Sequence, residues 1–300
     1  MKKTFLLTGA AVVALGAAVA WVATRPALDA AAPAGIAILD AYKSEVGRYV
    51  IPPDSDILAE PNVDQILYGK RLLADTKRLL PDNVGAQMNC NSCHMLDGKI
   101  DAANGYINTV NFYPRVMPRA AREVDLEGRI NGCFQRSMNG KPLDRDGPEM
   151  KAMIAYMEWL RQDVPKDQRV DVVNAGVIDE SLIPDPVRGQ AVYAAKCAAC
   201  HGGNGEGTFD QFGDVIFPPL WGDDSFNIGA GMARTYKAAQ FVKWAMPPAM
   251  HLTGQLGQGG VLTDQEAVDV SEYFTHMPRP DFAPKANDWP NGNKPKDARY

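Results

Sequence analysis

The sequence predicts a mainly α-helical protein folded as two tandem domains with long irregular loops. Three observations carry that prediction. Cys90-Asn-Ser-Cys93-His94 and Cys197-Ala-Ala-Cys200-His201 are two copies of one pattern, C-x-x-C-H. Each copy follows an amphipathic stretch with a central glycine and precedes, after a long irregular segment, a helix start leading into aromatic and apolar residues at helical spacing. The chain has 300 residues, enough for two ordinary domains, with 46% hydrophobic and 22% charged residues, the profile of a globular protein.

The elements follow in order. Met1-Lys2-Lys3 is a short positive segment, Phe5 to Ala23 is almost wholly apolar, and Ala18-Val19-Ala20 is an A-x-A cleavage candidate. The apolar run is long for a signal and just long enough to span a bilayer. Residues 1–24 therefore read as a signal peptide or N-terminal anchor, a cleaved signal being favoured, and either way the rest of the chain is exported. Residues 25–60, rich in Ala and Pro, read as a linker and N-terminal extension.

Residues 61–170 form the first domain. Gln65 to Leu73 is its amphipathic helix, carrying Gly69. Asp146-Gly-Pro-Glu149 is a helix start with Asp146 as candidate N-cap, opening a helix from Glu149 to Leu160 with Met153, Tyr156, Met157 and Leu160 on one face. A polar stretch from Asp163 to Glu180, with Pro165, divides the halves. Residues 171–280 form the second domain, with a helix from Pro186 to Lys196 carrying Gly189 and Tyr193, and a capping box at Thr263-Asp-Gln-Glu266 that opens a helix to His276. Residues 281–300 are a C-terminal extension without periodicity, which Trp289 would pin to the surface.

C-x-x-C-H is the attachment signature of c-type haem: two thiols on an incipient helical turn form thioethers to the haem vinyl groups, and the following His is held against the iron. Two covalently bound haem c groups are expected, on Cys90 and Cys93 with His94 and on Cys197 and Cys200 with His201. Export agrees with this, because c-type haem is attached outside the bacterial cytoplasm, and the expected location is the periplasm. Membrane contact is expected only if the N-terminal segment is uncleaved. The net charge of -5, without a basic stripe, excludes nucleic acid as a partner. The order of helix, haem motif, long loop and capped helix resembles the class I cytochrome c domain, in which the first and last helices cross at a glycine.

The second axial ligand decides what each iron does. For the second haem the candidates are Met232, Met246, Met250, Met277, His251 and His276; Met246-Pro247-Pro248, in the loop before the last helix, is preferred and Met250 comes next. For the first haem, Met138 stands in the corresponding place and Cys133 five residues earlier. Four of the five cysteines are consumed by haem, so Cys133 is an unpaired thiol in an oxidising compartment. It is preferred over Met138. Around it lie Arg115, Arg119, Arg122, Arg129, Arg136 and Lys141, against only Glu123, Asp125 and Glu127. Part of that excess suits haem propionates; the rest suits a small anionic substrate.

The segment from Arg129 to Lys141, Arg-Ile-Asn-Gly-Cys-Phe-Gln-Arg-Ser-Met-Asn-Gly-Lys, closely resembles the distal-cysteine segment of the di-haem thiosulfate dehydrogenases. Phe217-Pro-Pro-Leu-Trp-Gly222, Phe226 to Arg234 and Asp288-Trp-Pro290 resemble that family too, and the similarity runs from about residue 60 to the end. The resemblance implies oxidation of two thiosulfates to tetrathionate, reversible in some members, at a haem held by His94 and Cys133. It implies an electron-transfer haem held by His201 and Met246, and substrate-binding roles for Arg119, Arg129, Ser137 and Lys141. Electrons would leave to a soluble acceptor such as a cytochrome c or a high-potential iron–sulfur protein. Some members place a Lys before the distal Met that can replace it; here Ala245 stands there, and Lys243 would need a different loop conformation. The competing readings are a non-catalytic di-haem electron carrier, which needs no substrate pocket, and the haem subunit of a sulfur-oxidising complex, which needs a partner subunit.

Overall fold

Six helices of 11 or 12 residues carry the architecture: α1 (Val63–Ala74), α2 (Leu126–Arg136), α3 (Pro148–Trp159), α4 (Pro186–Lys196), α5 (Thr235–Ala245) and α6 (Asp264–Thr275). The computed structural model describes residues 35–99, 104–172, 176–248 and 261–300. The signal or anchor segment 1–24 and the ligand candidates Met250 and His251 lie outside the described residues.

The two halves repeat one plan. In the first, α1 crosses α3 at Gly69, where a Cβ would fall 1.9 Å from the Ala152 carbonyl oxygen. In the second, α4 crosses α6 at Gly189, where a Cβ would fall 2.0 Å from the Asp269 carbonyl oxygen. Glycine is needed because the neighbour is backbone, which cannot step aside. The apolar face of α3 is fully used: Met150, Met153, Tyr156 and Leu160 are completely buried. The α6 capping box forms as the sequence indicates, with Thr263 Oγ1 accepting from Glu266 N and Glu266 Oε2 accepting from Thr263 N.

Several elements depart from the sequence reading. The N-cap of α3 is Gly147, not Asp146; its extended backbone lets Pro148 take the first helical position without a side-chain cap. The irregular loop expected in each half contains a helix, α2 in the first and α5 in the second. The supposed linker holds two strands, β1 (Ile36–Leu39) and β2 (Glu45–Tyr49). β1 pairs antiparallel with β2 and with Arg169–Val170, a strand inside the stretch read as the divide. Ile38, Tyr49, Ile107, Val164 and Val170 form a small core beneath this sheet, and Tyr49 Oη donates to the Leu160 carbonyl at 2.6 Å. A hairpin of Arg115–Met117 with Arg122–Val124 precedes α2, and a second, of Thr208–Phe209 with Val215–Phe217, follows the second haem motif.

The C-terminal extension packs on the body as expected of Trp289, whose side chain is buried and whose backbone N–H donates to the Arg119 carbonyl at 2.8 Å. The segment 226–234 joins the halves: buried Asn227 donates through Nδ2 to the Gln135 carbonyl at 2.8 Å, at the C-terminal end of α2.

Candidate active site

Each C-x-x-C-H motif opens onto a cavity. The first, of about 480 Å³, is walled by Cys90, Cys93, His94, Arg129, Cys133 and Ser137, among others. The second, of about 210 Å³, is walled by Cys197, Cys200, His201 and Met246 with apolar neighbours. Met88, Cys93, Met232 and Phe241 stand in both walls, so one layer of side chains separates the cavities.

Both motif histidines are oriented for a metal. His94 Nδ1 faces the Asn104 carbonyl and its ring stacks on Tyr106, centroids 4.5 Å apart. His201 Nδ1 lies 2.9 Å from the Pro218 carbonyl. A carbonyl can only accept, so the proton sits on Nδ1 and Nε2 keeps its lone pair. None of the five cysteines is in a disulfide. A thiol pair, an imidazole with its lone pair free and a further sulfur in each cavity wall fit haem c.

Cys133 sits on α2, whose N-cap Asp125 accepts from Gly128 N at 2.9 Å. Leu126, Ile130 and Phe134 anchor the helix in the core and leave Cys133 and Arg129, one turn apart, on the cavity wall. Arg129 Nη1 donates to Cys133 Sγ at 2.7 Å. Desolvation raises the Cys133 thiol, but the Arg129 charge, with the His94 ring beside it, outweighs this and brings the pKa down to about 6. Burial pushes Cys90 and Cys93 the other way, up to about 12, and Cys197 up to about 11. Arg129 is held above its usual range, first by the Cys133 charge and also by a hydrogen bond with Tyr113. Met138, the alternative donor, is buried in the same cavity wall.

The remaining residues divide. Ser137, at the C-cap of α2, lines the cavity. Arg119 faces the C-terminal extension instead: its guanidinium donates to the Gly229 carbonyl, lies over the Trp289 ring at 5.0 Å and approaches Asp288 at 3.8 Å. Lys141 is exposed, its amide donating to the Asn83 carbonyl at 3.0 Å, and is not among the residues walling the cavity. Two further cations do wall it. Arg115 comes from the hairpin before α2, and Lys237 comes from the first turn of α5 in the other half. Lys237 stands exposed at the cavity rim, its Nζ donating to Gln240 Oε1 at 2.8 Å; partial desolvation there lowers its pKa, and the Arg234 and Arg129 charges push the same way against Glu180 and Asp297. Nothing in the Lys237 segment signals this role, because the cavity is assembled across the two halves.

A helical pair crossing at glycine, with a haem motif and a further sulfur in the cavity wall, repeated twice, defines a two-domain c-type cytochrome. Comparison with known proteins agrees: residues 82–165 match the SoxA/TsdA cytochrome c domain and residues 186–278 match cytochrome c. The thiosulfate dehydrogenase of Psychrobacter arcticus is 44% identical over 249 residues, 83% of this chain and 74% of that protein. That of Allochromatium vinosum is 41% identical over 229 residues, 75% of this chain and 82% of that protein. The chain belongs to the thiosulfate dehydrogenase family. A solved structure, thiosulfate dehydrogenase (TsdBA) from Marichromatium purpuratum in its as-isolated form, superposes with a TM-score of 0.65 at 31% identity, covering 87% of this chain. This chain spans about half, 53%, of the length of that one.

Proposed function

We propose that the protein oxidises thiosulfate at the Cys133 cavity, joining two molecules through their outer sulfurs into tetrathionate with release of two electrons. The observation that carries this reading is a thiol drawn toward thiolate by Arg129, facing a cavity walled by further cations. Cys90, Cys93, His94 and Cys133 in one domain and Cys197, Cys200, His201 and Met246 in the other would hold haem c, which would supply two one-electron acceptors for a two-electron oxidation.

Thiosulfate is a dianion, and bringing two together is the obstacle. Four unit-charge pairs at ~4 Å and an effective dielectric of ~20 amount to about 16 kcal/mol of repulsion. Arg129, Arg115 and Lys237 offset it, and Ser137 offers a hydroxyl to a sulfonate oxygen. In the first step the outer sulfur of one thiosulfate bonds to Cys133 Sγ, with loss of two electrons. In the second, the outer sulfur of another thiosulfate attacks that sulfur, the Cys133 bond breaks, and tetrathionate leaves with the thiolate restored. Arg129 remains beside Sγ throughout and stabilises it as the leaving group. The equilibrium can run either way, so tetrathionate reduction belongs to the same site.

The domains divide at 61–170 and 171–280, with electrons leaving from the second to a soluble acceptor in the periplasm. Adding thiosulfate to the oxidised, purified protein should reduce the haem absorption bands and yield one tetrathionate per two thiosulfates. Haem reduction without tetrathionate, or no reduction at all, would remove the catalytic role.

A further inference from the structure

The second cavity is closed on one side by a hairpin with an unusual surface. Its strands are Thr208–Phe209 and Val215–Phe217, and Ile216 and Phe217 form part of the cavity wall. The Phe217 ring meets the ring of His201, centroids 6.2 Å apart. The outer side of this thin wall is apolar and open: Phe212 at the tip is 80% exposed and Ile216 is 53% exposed. The turn is built to display Phe212. Asp210 Oδ1 accepts from Phe212 N at 2.8 Å and Asp214 N at 2.9 Å, and Gly213 takes a φ of 85°. Isolated exposed apolar residues need no explanation, but three on one short hairpin, Phe209, Phe212 and Ile216, beside a haem-motif cavity mark a contact surface.

The loop that carries it is acidic, although Lys196, just before it, also stands in the cavity wall. From Cys197 to Ala233 the chain carries Glu206, Asp210, Asp214, Asp223 and Asp224 and no Lys or Arg. Asp210 and Asp214 flank Phe212 and are exposed. Arg78, whose charge reaches Asp214, is already paired with Asp75. The first cavity has the opposite character, walled by Arg115, Arg129 and Lys237. The molecule thus offers a cationic mouth to an anionic substrate and an acidic, apolar-tipped hairpin at the other cavity.

We infer that the hairpin Thr208–Phe217 is the docking surface for the electron acceptor, and that the acceptor is a small one-electron redox protein whose own face is a ring of lysines around an apolar centre. The inference rests on the proposal that electrons leave from the second domain. Carboxylates steer the basic partner, Phe212 and Ile216 supply the desolvated contact, and the short path through Phe217 and His201 carries the electron. In each encounter the partner gains one electron, the protein loses one, and no bond forms or breaks.

The test uses the haem-loaded protein reduced with dithionite, so that its outcome is independent of thiosulfate chemistry. Two probes are compared at about 20 mM salt, where charges act over long range: a lysine-rich mitochondrial-type cytochrome c and an acidic high-potential iron–sulfur protein. Binding is read by calorimetry with both proteins oxidised, and electron transfer by stopped flow. The basic probe should bind and be reduced faster, with a rate that falls as salt rises. D210N/D214N keeps the turn, because Asn retains the acceptor oxygen, and should weaken binding about tenfold at low salt. F212S should weaken it several-fold at low and high salt alike, since apolar contact is not screened. D214K should shift preference toward the acidic probe. Unchanged binding of the basic probe by D214K and F212S, or a faster reaction with the acidic probe in the unaltered protein, would overturn the assignment. A protein that fails to oxidise thiosulfate yet shows these effects would leave the docking surface standing.

Discussion

Arg129 and Cys133 stand one helical turn apart on α2 with Nη1 2.7 Å from Sγ, so a single helix delivers both the sulfur and the guanidinium that pairs with it to the cavity. Replacing Cys133 with Ala should leave haem attachment intact, because Cys90 and Cys93 are untouched, yet abolish turnover. Electron paramagnetic resonance should then lose a low-spin His/thiolate signal. Arg129→Lys should be far from conservative, since one ammonium cannot reproduce the guanidinium fork. kcat/KM for thiosulfate is expected to drop about 100-fold, with the haem bands present at normal intensity.

Lys237 violates the local rules of its helix. It lies in the first turn of α5, beside an Arg234 N-cap, with no acidic residue in that turn. A helix N-terminus disfavours cations, and Asp297 is the carboxylate that answers it, accepting from Tyr236 N at 3.0 Å. Such a misfit is expected where function requires it. Lys237→Gln should raise KM for thiosulfate about tenfold with kcat largely kept, and flatten the salt dependence of kcat/KM. A normal KM would confine the anion site to the first domain.

Gly69 and Gly189 fix the two helix crossings. A methyl group at either would overlap a backbone carbonyl, and relief requires the helices to move apart. Gly69→Ala and Gly189→Ala should each cost about 2–4 kcal/mol, seen as a Tm lower by roughly 5–15 °C. Each should affect mainly its own half, so the absorption of the haem in that half should loosen first on heating.

These crossings, both haem motifs and the Thr263 cap were legible because each is a local pattern with one physical solution. The distal helices were not. α2 contains Gly128, Asn131 and Gly132, poor helix formers, and exists because Asp125 caps it and Ile130 and Phe134 bury its other face. α5 lacks the acidic start that marks a helix in sequence. The strand Ile36–Leu39 pairs with Arg169–Val170, far along the chain, and no local pattern announces that pairing. The arginine cluster was visible as composition, but its division was not. Arg115 and Arg129 face the cavity, whereas Arg119 and Arg136 are held by the C-terminal extension.

Stability should carry an acid-sensitive contribution from Asp269. Its side chain is buried on α6, and it accepts from Arg188 Nε at 2.8 Å, Gln265 Nε2 at 2.8 Å and Asp185 N at 2.8 Å. Burial favours the neutral acid, but these partners outweigh it and hold the carboxyl below its usual range. A folded pKa lower than the unfolded value of about 3.9 stabilises the fold above that value, and the benefit disappears as pH falls through the folded pKa. Asp269→Asn should cost about 2 kcal/mol at pH 7, and urea titrations should show the gap to the unaltered protein narrowing below about pH 4. A gap that widens on acidification would contradict the assignment.

Asp288 separates the arginines held by the C-terminal extension from those in the cavity wall. Its carboxylate accepts from Arg136 Nη1 at 2.8 Å and Nη2 at 2.7 Å and from Tyr300 Oη at 2.5 Å, and lies 3.8 Å from Arg119 Nε. Its side chain is only 5% exposed. Without it, two guanidinium groups would face each other half-buried. Asp288→Ala should therefore destabilise the protein by about 2–4 kcal/mol and expose the 281–300 extension to proteolysis. Arg119→Gln should behave as the same kind of change: it removes the contact with the Gly229 carbonyl and the Trp289 ring, so the midpoint of urea unfolding should fall while KM for thiosulfate stays within about twofold. A large rise in KM with stability unchanged would instead put Arg119 on the substrate, and would require its guanidinium to leave Trp289 and turn toward Cys133 when thiosulfate binds.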